Sequence, residues 1–177
     1  AKKFKYLYKK RIFICDKFFS KKNIDTFTNK KVGKPINFDL ITSFAMFYDI
    51  DDPNSFVCAC SVADRFGDSG VSCLSIFTLD HPRNAAQINL FLMSCRVIGR
   101  NIEYAFIDWL VGRIRKEEVQ TVHAKYVKTG RNEQVREFFE RNSFSLVAES
   151  NSEKNYRLEI DSYMENSLDY IEVIDEL

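Results

Sequence analysis

The chain has 177 residues, 45% hydrophobic, 14% aromatic and 29% charged, with a net charge of +1. That length suits one domain burying roughly 70% of its unfolded surface, and three Pro with six Gly exclude collagen-like and low-complexity classes. No apolar run approaches the roughly 18 residues of a membrane-spanning helix, and no apolar stretch follows the N-terminal lysines as a secretory signal requires.

The reading is a single domain over residues 1–177. A basic N-terminal segment, 1–34, has 12 Lys/Arg against 2 Asp/Glu. A core of about 10–160 follows, then an acidic tail, 161–177; residues 149–177 carry 2 Lys/Arg against 9 Asp/Glu. The two ends suit pairing with each other or with separate partners. A near-neutral total makes nucleic acid the weakest partner class, although Phe4, Tyr6 and Tyr8 interleave with the N-terminal lysines.

In chain order, residues 10–19 read as a strand and 20–31 as polar with helix-compatible spacing. Residues 36–50 are apolar and ambiguous between an extended segment and a short helix. DDPNS (51–55) is a turn. Residues 56–64 and 71–79 are strands joined by the RFGDSG hairpin, and 80–86 is a further turn. Residues 88–95 form a buried strand. The period then changes: 101–117 places Ile102, Ala105, Phe106, Trp109, Leu110 and Ile114 on one helical face. Residues 119–127 are a strand and 132–142 an amphipathic helix. Residues 144–150 pair with 156–160, and the tail adds a short helix or a final strand. The fold class is α/β (α+β), with an antiparallel N-terminal half, a central crossover and helices on both faces of a mixed, mostly antiparallel sheet.

Five cysteines, none in a CxxC pair, and two histidines argue against a metal site. Cys58 and Cys60 alternate onto one strand face. The cysteines read as reduced thiols of a cytoplasmic protein.

The most informative stretch is LMSC-RVIGRN-IEYAFIDWLVGRI, where a strand ends at Cys95 and a helix follows an Arg- and Gly-bearing turn. Backbone N–H groups and the helix dipole converge there, and Arg96 and Arg100 add charge, an arrangement suited to a pyrophosphate. The same turn also serves as an ordinary strand-to-helix connection. Cys95, beside Arg96, is either a nucleophile able to carry an acyl group or a small hydrophobe at a strand end. His123 is a strand histidine, with a general-base role as the alternative. In the hairpin, Arg65 is expected to pair with Asp64 or Asp68.

The pattern R-x-x-G-x-N at 96–101 resembles the acyl-CoA loop [QR]-x-x-G-x-[GA] of the GNAT (Gcn5-related N-acetyltransferase) superfamily. The stretch from Asn132 to Phe144 resembles the second GNAT signature, N-x-x-A-x-x-F-Y-x-x-x-G-F. VADRFGDSGVS, INLFLMSCRVIGRN and KTGRNEQVREFFERNSF are similar, more narrowly, to the C-terminal GNAT-like domain of FkbH-like proteins. Those proteins join it to a HAD-type phosphatase domain and load a glyceryl unit onto an acyl carrier protein. The HAD signature D-x-D-x-T is not in this chain, so the resemblance covers the GNAT-like half alone.

The resemblance implies a GNAT-like fold and a phosphopantetheine thioester ligand, as CoA or on an acyl carrier protein. It implies transfer or holding of an acyl or glyceryl unit, or else a degenerate module that docks the carrier for a HAD-type partner domain or subunit. It assigns Arg96, Val97, Ile98, Gly99, Arg100 and Asn101 to the phosphate loop and Asn132 to the cofactor arm. Asn101 in place of Gly or Ala is expected to narrow the phosphate pocket, and Ser143 stands where the signature has Gly. Phe139 stands where GNAT enzymes often place a thiolate-protonating Tyr, which leaves Tyr126 as the candidate donor.

Overall fold

A computed structural model describes residues 10–15, 53–64 and 67–175. Among the described residues, eight strands form one sheet in the order β6-β7-β5-β4-β3-β2-β1-β8. They are β1 Lys10–Cys15, β2 Ser55–Asp64, β3 Gly67–Asp80, β4 Ala85–Met93, β5 Thr121–Val127, β6 Ser145–Glu149, β7 Glu153–Glu159 and β8 Ile171–Asp175. Neighbours are antiparallel except β4–β5 and β1–β8. The expectations for 20–31 and 36–50 lie outside the described residues.

Period-2 alternation buries one face of β2, β5 and β7. Cys58, Cys60 and Val62 of β2, Val122 and Ala124 of β5, and Tyr156 and Leu158 of β7 are all nearly inaccessible. Helix α1, Ile102–Arg115, follows β4 and supplies the crossover that two parallel strands require. It buries Ile102, Ala105, Phe106, Leu110 and Ile114, as its sequence period predicts, and also Ile107 and Val111. The wider apolar arc fits a helix with a second neighbour, since α1 also contacts β8. Trp109 is only half-buried and stacks on Phe106 at 6.4 Å.

The acidic tail is structural. Asp108 of α1 accepts from the Tyr163 hydroxyl (2.6 Å), the Asn166 side-chain amide (2.8 Å) and the Asn166 backbone N–H (3.1 Å). The Asn166 amide also donates to Asn142 Oδ1 at 3.2 Å. Burial, with Asp108 alongside, pushes the Tyr163 hydroxyl far up, so it stays a donor. This network leads the tail to β8, which pairs with β1.

The predicted helix over 132–142 is corrected to two short pieces. A 3-10 turn covers Glu133–Val135 and helix α2 covers Phe138–Arg141. The first piece closes with Val135 N–H to Asn132 C=O and Arg136 N–H to Glu133 C=O, three-residue spacings that an α-helix does not continue. Phe138 and Phe139 then diverge. Phe138 meets Phe91 at 5.0 Å, whereas Phe139 meets Phe144 at 5.2 Å and Tyr156 at 5.4 Å.

Asp108→Ala should lower stability by about 2–3 kcal/mol, the scale of hydrogen bonds to a charged group with a buried donor left unmet. Urea unfolding checks it, and an unchanged midpoint would show the network to be dispensable.

Candidate functional site

The site begins with an interrupted ladder. β4 and β5 pair only from Ala85–Thr121 to Ile88–Ala124. On the other side of β4, Ile76 faces Leu90 while Phe77 faces Ile88, so Asn89 is an extra, bulged residue. A bulge bends its strand and sharpens its twist. Beyond it β4 leaves β5, and residues 89–93 and 125–127 line a cavity of about 600 Å3 between the two strands.

Rings surround the gap. Phe91 of β4 lies 5.3 Å from Phe106 of α1 and 5.0 Å from Phe138 of α2. Phe138 lies 5.3 Å from Phe139, and Phe139 reaches Tyr156 of β7. Phe139 is therefore a buried member of an aromatic cluster. Burial, with Glu140 nearby, raises the Tyr156 hydroxyl to about 12, and that hydroxyl donates to the Arg136 carbonyl at 3.2 Å.

The 96–101 loop does not present its members together. Ile98, Gly99 and Asn101 line the cavity, as does Cys95, whose side chain is exposed. Val97 is fully buried in the core. Arg96 is exposed, does not line the cavity, and donates from Nε to Ser94 Oγ at 3.3 Å. Arg100 is ion-paired with Asp64. Asp68 instead accepts the Gly70 N–H at 2.7 Å, and Arg65 lies outside the described residues. The expected convergence of free N–H groups is corrected in part. Val97 N–H goes to Ser94 C=O, Arg100 N–H to Val97 C=O, and Gly99 N–H to Glu103 Oε1 at 3.0 Å. Gly99 has φ 77°, the left-handed region that glycine alone enters freely.

Asn101 has φ 64° at the start of α1, and its side-chain amide donates to the Tyr170 hydroxyl. Asparagine tolerates this conformation better than most residues. Asn132 is fully engaged locally. Its Oδ1 accepts from the Tyr126 hydroxyl at 3.0 Å and the Thr129 N–H at 2.8 Å, and its Nδ2 donates to the Val127 carbonyl at 2.9 Å. Tyr126 and Asn132 both line the cavity. His123 does not, nor does any group of three or more His, Cys, Asp or Glu among the described residues form a metal site.

Sequence reasoning missed Glu103, Tyr104 and Arg131, which also line the cavity. Tyr104 stacks over Phe138 at 6.2 Å. Glu103 and Tyr104 fall off the apolar stripe of α1, so only their nearness to the turn could have flagged them.

No protein-family model matches the chain, and no curated protein matches it in sequence. Solved structures do match in shape. A GNAT-family protein from Desulfovibrio desulfuricans superposes with a TM-score of 0.59 at 12% identity, covering 84% of this chain and 99% of that one. The ribosomal-protein-S18-alanine N-acetyltransferase of Escherichia coli gives 0.55 at 9% identity, over 88% and 97%. The PaiA N-acetyltransferase of Thermoplasma acidophilum, solved in complex with coenzyme A, gives 0.51 at 10%, over 80% of each chain.

Exposure separates the thiols. Cys58, Cys60 and Cys73 are buried and Cys95 is exposed. Burial, and Cys73 beside it, push the Cys60 thiol well up. Iodoacetamide near neutral pH should therefore label Cys95 long before those three, as timed mass-spectrometric mapping would read. Equal rates would contradict the packing described. Since the Cys60 thiol is raised in the folded chain, its contribution to stability holds below the ordinary thiol value of about 8.5 and is lost as pH rises beyond it.

With its interrupted β4–β5 ladder and its strand–turn–helix crossover, the chain has the fold of the GNAT acetyltransferases.

Proposed function

We propose that the cleft between β4 and β5 receives the pantetheine arm of an acyl thioester, and that the domain transfers or holds the acyl unit. The observation that carries this is the splay itself. An extended ligand laid in it meets the edge of β4 from residue 89 to 93, which no longer pairs with β5. The coenzyme A bound to the Thermoplasma acidophilum neighbour supports the same ligand class.

Cys95 is the candidate nucleophile. Its thiolate would attack the thioester carbonyl, forming a Cys95–acyl thioester and releasing the pantetheine thiolate. That thiolate needs a proton, which Phe139 cannot supply. Tyr126 carries a hydroxyl on the cavity wall and is the candidate donor. In the finer reading, drawn from the FkbH-like resemblance, the thioester is presented by an acyl carrier protein, the unit is glyceryl, and a HAD-type phosphatase domain or subunit works alongside. The second reading is a module that holds the arm without chemistry. Phe139 favours it, together with the engagement of the Tyr126 hydroxyl by Asn132.

Pantetheine should protect the amides of residues 89–93 and 125–127 from hydrogen exchange and leave the β2–β3 hairpin unchanged. Protection elsewhere, or none, would remove the cleft from the function. If the domain is catalytic, Tyr126→Phe should lower kcat by about 100-fold or more with little change in KM, as loss of a proton donor does. Thiol release from an acyl-pantetheine thioester measures it. Full turnover by the variant would transfer the role elsewhere, and binding without turnover by the wild type would favour the holding module.

A further inference from the structure

The strongest feature left unused is Glu103, in the first turn of α1 and on the cavity wall. Its Oε1 accepts the Gly99 N–H at 3.0 Å. Its Oε2 is buried and has no hydrogen-bond partner among the described residues. The carboxylate therefore sits where the turn and the helix dipole favour an anion, and it is held there by the glycine whose conformation shapes the loop. The cations nearest in sequence have other partners. Arg100 is matched by Asp64, and Arg96 is exposed against Ser94. Across the cavity, Lys125 pairs with Glu153 at 2.8 Å and Arg141 with Glu137 at 2.9 Å. Arg131 alone among the described cavity-lining cations forms no ion pair.

We propose that Glu103 is a specificity-determining residue that turns away a pyrophosphate, so that the cleft admits a pantetheine arm bearing one phosphodiester or none. A pyrophosphate placed at the Gly99 N–H would displace this carboxylate or lie against it, and like charges in such contact are strongly unfavourable. One unpaired arginine suits one phosphodiester charge. The proposal rests on the thioester-arm reading above and adds the charge of the ligand to it.

Glu103→Gln tests it, because the amide oxygen still accepts from Gly99 while the charge is lost. Calorimetry of the full chain compares CoA with pantetheine, which has no phosphate. Pantetheine should bind both proteins within about twofold, while CoA should bind the variant about tenfold or more tightly than the wild type, as relief of a like-charge contact predicts. Equal CoA affinity, or tighter CoA binding by the wild type, overturns the role of Glu103 and leaves the cleft reading intact. Failure of both ligands on both proteins overturns the cleft reading and this proposal with it. A measurement without the variant guards against misfolding: inorganic pyrophosphate should not displace pantetheine from the wild type, and displacement would overturn the proposal.

Discussion

The ladder between β4 and β5 stops at Ile88–Ala124, and the rest of the site depends on that stop. A parallel pair that ran its full length would seal the sheet and leave no cavity. The bulge at Asn89 gives the stop a local cause, since one extra residue sets β4 on a different course while its pairing with β3 resumes at Leu90. Ser75 reinforces the spot: its buried hydroxyl donates to the Leu90 carbonyl at 2.9 Å. An opened ladder forfeits backbone hydrogen bonds, and packing has to replace them. The ring series Phe106–Phe91–Phe138–Phe139–Tyr156 does so, linking α1, β4, α2 and β7 around the gap.

Much of this was legible in the sequence because it is periodic. Alternation marked β2, apolar runs between turn signals marked β3 to β5, and the 3.6-residue period marked the inner face of α1, since all follow from which parts of an element meet the core. The strand-to-helix turn was legible through Gly99, although the strand ends at Met93 and not at the expected Cys95. What the turn does with its groups was not. Asp64 and Arg100 are 36 residues apart, and nothing local shows that they meet. Glu103 reads as an ordinary acidic residue of a first helical turn until its contact with Gly99 is seen. The helix expected over 132–142 failed for a related reason. Val135, Phe138 and Phe139 have helical spacing, yet their partners lie in different directions, and tertiary packing overrode the local period.

Two of the departures from the GNAT signatures, at 101 and 143, share a physical explanation. Asn101 has φ 64° and Ser143 has φ 66°, so both occupy left-handed positions where glycine meets no steric penalty. The penalty for other residues is on the order of 1–2 kcal/mol, smaller for asparagine. At 101 the side chain gained in exchange makes a contact: its amide bonds Tyr170, just before β8. The substitution therefore belongs to the packing of the tail.

The same logic joins segments that look independent in the chain. Tyr170 holds the start of α1, while Tyr163 and Asn166 hold Asp108 farther along it. The Arg100–Asp64 pair then fixes the loop to the end of β2, at the hairpin. The helix that supplies the cleft's dipole is thus fastened on one side by the acidic tail and on the other by the hairpin. In the proposed reading of this turn, Asp64 and Glu103 already engage Arg100 and the Gly99 N–H. The proposed selectivity then follows from how little charge remains to be matched, rather than from how many basic residues the loop contains.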